Sequence, residues 1–221
     1  MNVQTSTRQL IVAGIGTEIG KTVASAVLVE ALKADYWKPI QSGALTDSDT
    51  NTVRQLISNS VSRFHPEAYR LTQPLSPHAA AEIDGVTIDA QSITTPTTDN
   101  LLITELAGGL MVPLNSQYLN VDLVQQLGAP VVLVSRNYLG SINHTLLSAE
   151  ACQRRNIPIL GILFNGPTVP ATETFILAYT GLPCIGRIGQ EAEITKDVIC
   201  YYAASVLPVL HQLVEPIQQK S

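Results

Sequence analysis

The sequence predicts an α/β fold of three layers: a mainly parallel central sheet with helices on both faces. Three observations lead there. Short apolar runs alternate with longer helical patterns along the chain, as a parallel sheet with crossover helices requires. The runs are continuous rather than alternating, as in Val131-Val132-Leu133-Val134, which suits strands buried on both faces. Near the start an apolar run, a glycine-rich loop and a helical run follow one another directly.

Each element can be justified in order. Residues 9–13 are an apolar strand ended by Gly14, and 22–34 are a helix of small and aliphatic residues beginning at Thr22. Residues 36–40 are a second strand running into Lys38-Pro39, and 49–58 are a helix entered from the polar pair Ser48-Asp49. From 73 to 100, Pro74, Pro77, Gly85 and Pro96 interrupt any period, so this stretch reads as a loop-rich excursion over the sheet. Beyond it strands at 101–106, 130–135, 159–165 and 184–188 alternate with helices at 120–126, 142–155, 171–179 and 196–213. Without repeat, low-complexity tract or linker, residues 1–221 read as one domain.

Composition narrows the function. A net charge of −5 without any Lys/Arg run argues against broad nucleic-acid binding. The longest apolar stretches read as too short for a membrane span, and no basic segment followed by an apolar run marks export. Cys152, Cys184 and Cys200 lack metal-ligand or redox spacing, and such a scattered set suits a reduced, cytoplasmic protein. Only 14% of residues are charged, against about 25% ordinarily. This fits either an oligomer interface or a surface rich in uncharged polar residues.

The chemistry concentrates in Gly14-Ile15-Gly16-Thr17-Glu18-Ile19-Gly20-Lys21-Thr22. Strand, glycine loop, Gly-Lys-Thr and helix is the layout of a phosphate-binding P-loop. Its backbone N–H groups and helix N-terminus cradle phosphates, its lysine reaches the β- and γ-phosphates, and its threonine ligates Mg²⁺. The strict pattern wants glycine at 15, whereas Gly14 comes one residue early. A dinucleotide loop built on Gly14 and Gly16 would need glycine at 19, which is Ile. ATP therefore fits better than NAD.

Other candidates stand where strands end. Lys38 can neutralise charge on a transferred phosphoryl group, or be a surface lysine before a turn. Ser42-Gly43 is a site pair or a plain turn. Asp49 can ligate Mg²⁺ or cap its helix, the cap being the commoner role. Glu105 closes an apolar run before Ala107-Gly108-Gly109, where a carboxylate is costly unless paired or metal-bound. Ser141 reads as the N-cap of the helix carrying Asn143 and His144, whose N–H groups can hold a carboxylate. His144 reads as structural.

With these motifs in order, the chain resembles the dethiobiotin synthetases from the P-loop to about Gly189. The resemblance rests on Gly-x-Gly-Thr-Glu-Ile-Gly-Lys-Thr at 14–22, Lys38-Pro39-x-x-Ser42-Gly43, Ser48-Asp49, Ser76-Pro77-His78-Ala79-Ala80, Glu105-x-Ala107-Gly108-Gly109, Leu139-Gly140-x-Ile142-Asn143-His144 and Asn165. The early Gly14 is that family's own P-loop variant. The resemblance implies an ATP- and Mg²⁺-dependent homodimer that closes 7,8-diaminopelargonate and CO₂ into a cyclic urea through a carbamate and a carbamic–phosphoric anhydride.

By the same resemblance Lys21 and Lys38 stabilise the carbamate and the moving phosphoryl group, and Ser42 and the neighbouring subunit's Asn143 hold the substrate. Thr22, Asp49 and Glu105 surround Mg²⁺. The nucleotide falls to Glu18, Ile19, Gly20, Lys21, Thr22, Val23, Ala107 and Gly108, with Asn165, Gly166, Ile188 and Gly189 around the base. Four positions depart from the family pattern: Gly16 for its Asp, Leu106 for glycine where backbone is expected to meet ligand, Gly166 for an acidic residue, and Gly189 for proline. A nucleotide-switch ATPase that binds a protein partner, or an inactive relative, is the alternative. The first usually carries an extra early P-loop lysine, and residues 14–20 contain none.

Overall fold

The computed structural model describes residues 8–218, with α7 side chains described as far as Val214. In order the elements are β1 Gln9–Gly14, α1 Lys21–Leu32, β2 Asp35–Trp37, β3 Ile40–Ser42, α2 Asp49–Leu56, β4 Phe64–His65, β5 Tyr69–Leu71, α3 Pro77–Ile83, β6 Leu102–Gly109, α4 Asn120–Leu127, β7 Val131–Arg136, α5 Ser141–Gln153, β8 Ile159–Asn165, α6 Pro170–Thr180, β9 Cys184–Ile188 and α7 Lys196–Gln218.

Seven strands form the main sheet in the order β4-β2-β6-β1-β7-β8-β9, and all its pairings are parallel. β3 and β5 form a separate parallel pair. The unbroken apolar runs are explained by burial on both faces. Leu102 packs with Trp37, Ile40, Ala80 and Leu123, towards α3 and α4. Its neighbour Ile103 points the other way, into the cluster that α1 and α7 share. The same period of two sends Ile162 and Phe164 to Ile176 of α6 and Leu163 to the opposite face.

Three expectations change. The strand read at 36–40 is two strands, because Pro39 has no N–H to give and restrains Lys38. The stretch 73–100 holds α3, started by Pro77 at its first turn, and a 3-10 turn at Ala90–Ser92. The reading that no stretch is long enough to span a membrane is also corrected. Lys196–Val214 of α7, with a mean hydropathy of 1.3, is long and apolar enough by composition. In this fold its Ile199, Val206 and Leu210 are fully buried, and it packs on α1 and β9.

β1 and β6 lie side by side at the centre, with β2 on the far side of β6. Their carboxyl ends bring together the loop after β1, Lys38 after β2 and Glu105 in β6.

Candidate active site

The loop between β1 and α1 is pinned from below. Ile15 and Ile19 are buried in the core, so the residues between and after them curl over its rim. Gly20 caps α1 at φ 89° with no side-chain bond to the helix. This is a left-handed backbone that only glycine adopts freely, and it leaves the helix's first N–H groups unclaimed by a cap. Glycine is required there for space as well: a Cβ would sit 2.1 Å from Asn165 Nδ2, which donates to Ile19 O at 2.8 Å.

Beside this loop lies a cavity of about 810 Å³, whose walls include Glu18 to Val23, Lys38, Ser42, Asp49, Glu105, Ala107 and Gly108. Three elements meet at the Thr22 hydroxyl. It donates to Asp49 Oδ1 and lies 3.0 Å from Glu105 Oε1. Lys38 Nζ bridges the same two carboxylates, at 2.6 Å from Asp49 and 3.1 Å from Glu105. Glu105 is only 1% exposed, and its other oxygen accepts from the Tyr36 hydroxyl at 2.9 Å. Lys21, second lysine of the cavity, donates to Gly16 O at 3.1 Å.

Electrostatics separate the two lysines. Burial draws the Lys38 ammonium down, but the charges of Glu105 and Asp49 outweigh it and its pKa is raised. Burial dominates at Lys21, with Glu105 and Asp49 opposing it and Lys38 adding to it, so its pKa is lowered. Burial pushes Asp49 up, yet Lys38 and the bonds from Thr22 and Gln41 leave it below the usual carboxylate range. Burial, reinforced by Glu105, raises Tyr36 well above an ordinary phenol, so it stays a donor.

The arrangement fits a nucleotide triphosphate and Mg²⁺. A hydroxyl and two carboxylates converging on one point are hard oxygen donors of the kind Mg²⁺ takes. The Ser42 hydroxyl is buried without any hydrogen-bond partner, an orphan that a polar ligand in the cavity would satisfy. Among the described residues no three His, Cys, Asp or Glu side chains cluster as a metal site, so the third protein donor here is a threonine.

Several expectations are revised. Asp49 does not cap α2; Ser48 does, accepting from Asn51 N at 3.3 Å, which frees the Asp49 carboxylate for Thr22 and Lys38. Ser141 is the buried first residue of α5, and Gly140 at φ 102° is its cap. Leu106 does not face the ligand side but lies in the core, 1% exposed. A Cβ at Gly16 would meet Ile19 at an ordinary contact distance of 3.8 Å, so a side chain there would fit without a clash.

The remaining nucleotide and substrate candidates are not among the cavity's lining residues. Asn165 and Ile188 pair across β8 and β9, and Gly166 N donates to Ile188 O at 2.8 Å. The Ile188 side chain is in the core. Gly189 N donates to the Tyr202 hydroxyl, which a Cβ on Gly189 would meet at 2.8 Å. Asn143 is exposed in the first turn of α5, and His144 bonds the Tyr138 hydroxyl.

Sequence reading missed three residues at this site. Tyr36 holds Glu105. Gln41, 3% exposed, accepts from Asp49 N. Arg136 reaches Glu18 O and runs beside Gly166. Only their nearness to strand ends marks them, a signal shared with many residues of no role.

A phosphate loop at a strand–helix junction, an acidic residue on the neighbouring strand and a parallel sheet define a P-loop nucleotide-binding protein. Comparison with known proteins agrees. A family model described as an AAA domain matches residues 8–198. A plasmid partition protein of Borrelia burgdorferi superposes with a TM-score of 0.59 at 10% identity, covering 93% of this chain and 98% of that one. The MinC:MinD cell division complex of Aquifex aeolicus gives 0.54 at 10% identity, over 94% and 96%. These share the fold alone.

Sequence relatives are more specific. Proteins named ATP-dependent dethiobiotin synthetase BioD from Christiangramia forsetii and Cytophaga hutchinsonii are 50% and 48% identical to this chain. The matches cover 89% and 90% of it and 94% and 97% of those relatives. The counterpart from Chlamydia pneumoniae is 47% identical over 89% of this chain and 88% of its own. The chain belongs to the ATP-dependent dethiobiotin synthetase family.

Proposed function

We propose that this chain is an ATP- and Mg²⁺-dependent cyclising ligase that converts 7,8-diaminopelargonate and CO₂ into dethiobiotin, ADP and phosphate. The observation that carries the reading is Lys38 held between Asp49 and Glu105 at the Thr22 hydroxyl, in a chain about half identical to dethiobiotin synthetases.

One amine of the substrate adds to CO₂, giving a carbamate and a proton. A carbamate oxygen takes the γ-phosphoryl group of ATP and ADP leaves. The second amine attacks the carbonyl of that anhydride, the cyclic urea closes and phosphate departs. No protein nucleophile is needed. What the residues supply is charge and position.

Thr22, Asp49 and Glu105 hold Mg²⁺, which neutralises phosphate charge when bound. Lys38, the firmer cation, stands over the carbamate and the moving phosphoryl group, and Lys21 follows the β- and γ-phosphates from the base of α1. The free N–H groups after Gly20 hold phosphate oxygens, with Glu18, Ile19 and Val23 beside them and Ala107 and Gly108 across the cavity. The orphan Ser42 hydroxyl takes the substrate. Asn165, Gly166 and the Ile188-Gly189 backbone border the base.

The substrate carboxylate falls to Asn143 of a second copy in a homodimer. The fully exposed Leu139 and the half-exposed Tyr138 and Leu147 around it support an interface there.

The test is ADP release from MgATP and bicarbonate with and without the diamine, with product mass. Diamine-dependent release and a dethiobiotin mass support the ligase. Hydrolysis that ignores the diamine would favour a nucleotide switch instead.

A further inference from the structure

Glu105 carries two oxygens, and only one of them faces Thr22 and Lys38. Oε1 accepts from Thr22 and Lys38; Oε2 accepts from the Tyr36 hydroxyl at 2.9 Å. The last torsion of a glutamate is soft, so a bond to one oxygen leaves the carboxylate plane free to swing. A donor on the second oxygen fixes it. Metal-binding carboxylates depend in this way on their outer hydrogen bonds.

Tyr36 is built for that task. It is fully buried and sits in β2 opposite Ile103 of β6, two residues before Glu105 and on the same face of the sheet. Its ring leans on Phe64, with centroids 5.9 Å apart. The Arg54 guanidinium lies over the Phe64 ring at 4.7 Å from its centroid. Arg54 belongs to α2, the helix that Asp49 begins. Phe64 thus stands between the Tyr36 ring and the helix that Asp49 begins.

We propose that Tyr36 is a positioning residue for this reaction: its hydroxyl fixes the Glu105 carboxylate with Oε1 towards Thr22 and thereby sets the affinity for the divalent cation. The proposal rests on the metal role given to Glu105 above.

Tyr36→Phe removes one oxygen and keeps the ring against Phe64. The full chain and the variant are titrated with Mg²⁺ in two ways, by thermal shift with a non-hydrolysable ATP analogue and by diamine-dependent ADP release. Half-saturating Mg²⁺ is expected to rise about tenfold in both, while binding of the analogue in EDTA stays within twofold. In a Glu105→Gln background the same change should add no further loss, because the partner oxygen's charge is already gone.

A folded Tyr36→Phe that needs no more Mg²⁺ than the parent, even if it melts lower, would overturn the proposal and leave Tyr36 a packing residue. Should that variant not fold, Phe64→Leu loosens the ring and keeps the hydroxyl. A Mg²⁺ requirement raised at least threefold then supports the proposal, and an unchanged one overturns it. If the parent binds the Mg²⁺–analogue complex but shows no diamine-dependent turnover, the ligase reading fails while the thermal-shift comparison still decides the role of Tyr36.

Discussion

Lys38→Met is the most direct probe of the site, because the side chain is nearly isosteric and only the cation is lost. Lys38 Nζ lies 2.6 Å from Asp49 Oδ2 and 3.1 Å from Glu105 Oε1, with the lysine side chain 7% and the glutamate 1% exposed. At an effective dielectric of about 20, each contact is worth about 5–6 kcal/mol before desolvation. Desolvating three charges takes most of that back, so what matters is the cost of leaving a carboxylate buried without its cation. Breaking a buried pair costs about 3–5 kcal/mol. Asp49 is 29% exposed, and screening there lowers the expected loss to about 2–3 kcal/mol.

A fold stable by about 5–15 kcal/mol survives that. Turnover should not: losing a cation at the moving phosphoryl group is expected to cost about 10²–10³-fold in kcat. The pH dependence follows from Asp49, whose pKa is depressed in the fold by Lys38 against the opposing effect of burial. Its stabilisation is present above the unfolded pKa and lost as pH falls through the folded one. The gap between parent and variant is therefore full at neutral pH and closes in acid. Urea unfolding at neutral and acid pH, with ADP release on the same preparations, measures both effects. Parental stability at neutral pH together with turnover within tenfold of the parent would refute this account of Lys38.

Glu105→Gln keeps the shape but halves the carboxylate pair, and should raise the Mg²⁺ needed for half-maximal rate by about tenfold or more; an unchanged Mg²⁺ curve removes Glu105 from the metal site. Gly20→Ala puts a methyl 2.1 Å from Asn165 Nδ2 at φ 89°, so a loss of about 1–3 kcal/mol and weaker nucleotide binding should appear in thermal unfolding and analogue titration.

Glu30 is 4% exposed and accepts from Ser58 N, Asn59 N and Lys33. Burial opposes its ionisation, but these bonds win and bring its pKa from 4.5 to about 2. Such a shift is worth about 3 kcal/mol at most, or about 1–2 once the half-exposed Lys33 is screened. Glu30→Gln should lose that much at neutral pH, with the difference fading between about pH 4.5 and 2, as urea midpoints across pH will read out.

Much of this fold is legible because its signals are local. Continuous apolar runs mark central strands, since a parallel sheet covered on both faces leaves no polar side to encode. β8 and β9 stand at the expected residues for that reason. The phosphate loop is legible because glycines, lysine and threonine at fixed offsets leave one conformation open at a strand–helix junction. What escaped were short elements, such as β4, two residues long, and α3, seven residues long. They owe their shape to packing on neighbours and are too short to show a period.

The roles of single residues divide the same way. That Glu105 must be paired could be read from a carboxylate ending an apolar run. That its partners are Thr22 of α1 and Tyr36 and Lys38 of the β2 segment could not. Asp49 looked as able to cap a helix as to serve the site, and Leu106 put a side chain where backbone was expected to meet ligand. Ser48 takes the cap and the pleat of β6 turns Leu106 into the core, because cap geometry and strand register are set by where the chain ends up. The sequence alone determined the sheet, the phosphate loop and the family's motifs, which are encoded within a few consecutive residues. Only the tertiary structure decided which oxygens face which cations, because hydrogen bonds between residues 67 to 83 positions apart exist only once the strands have been set side by side.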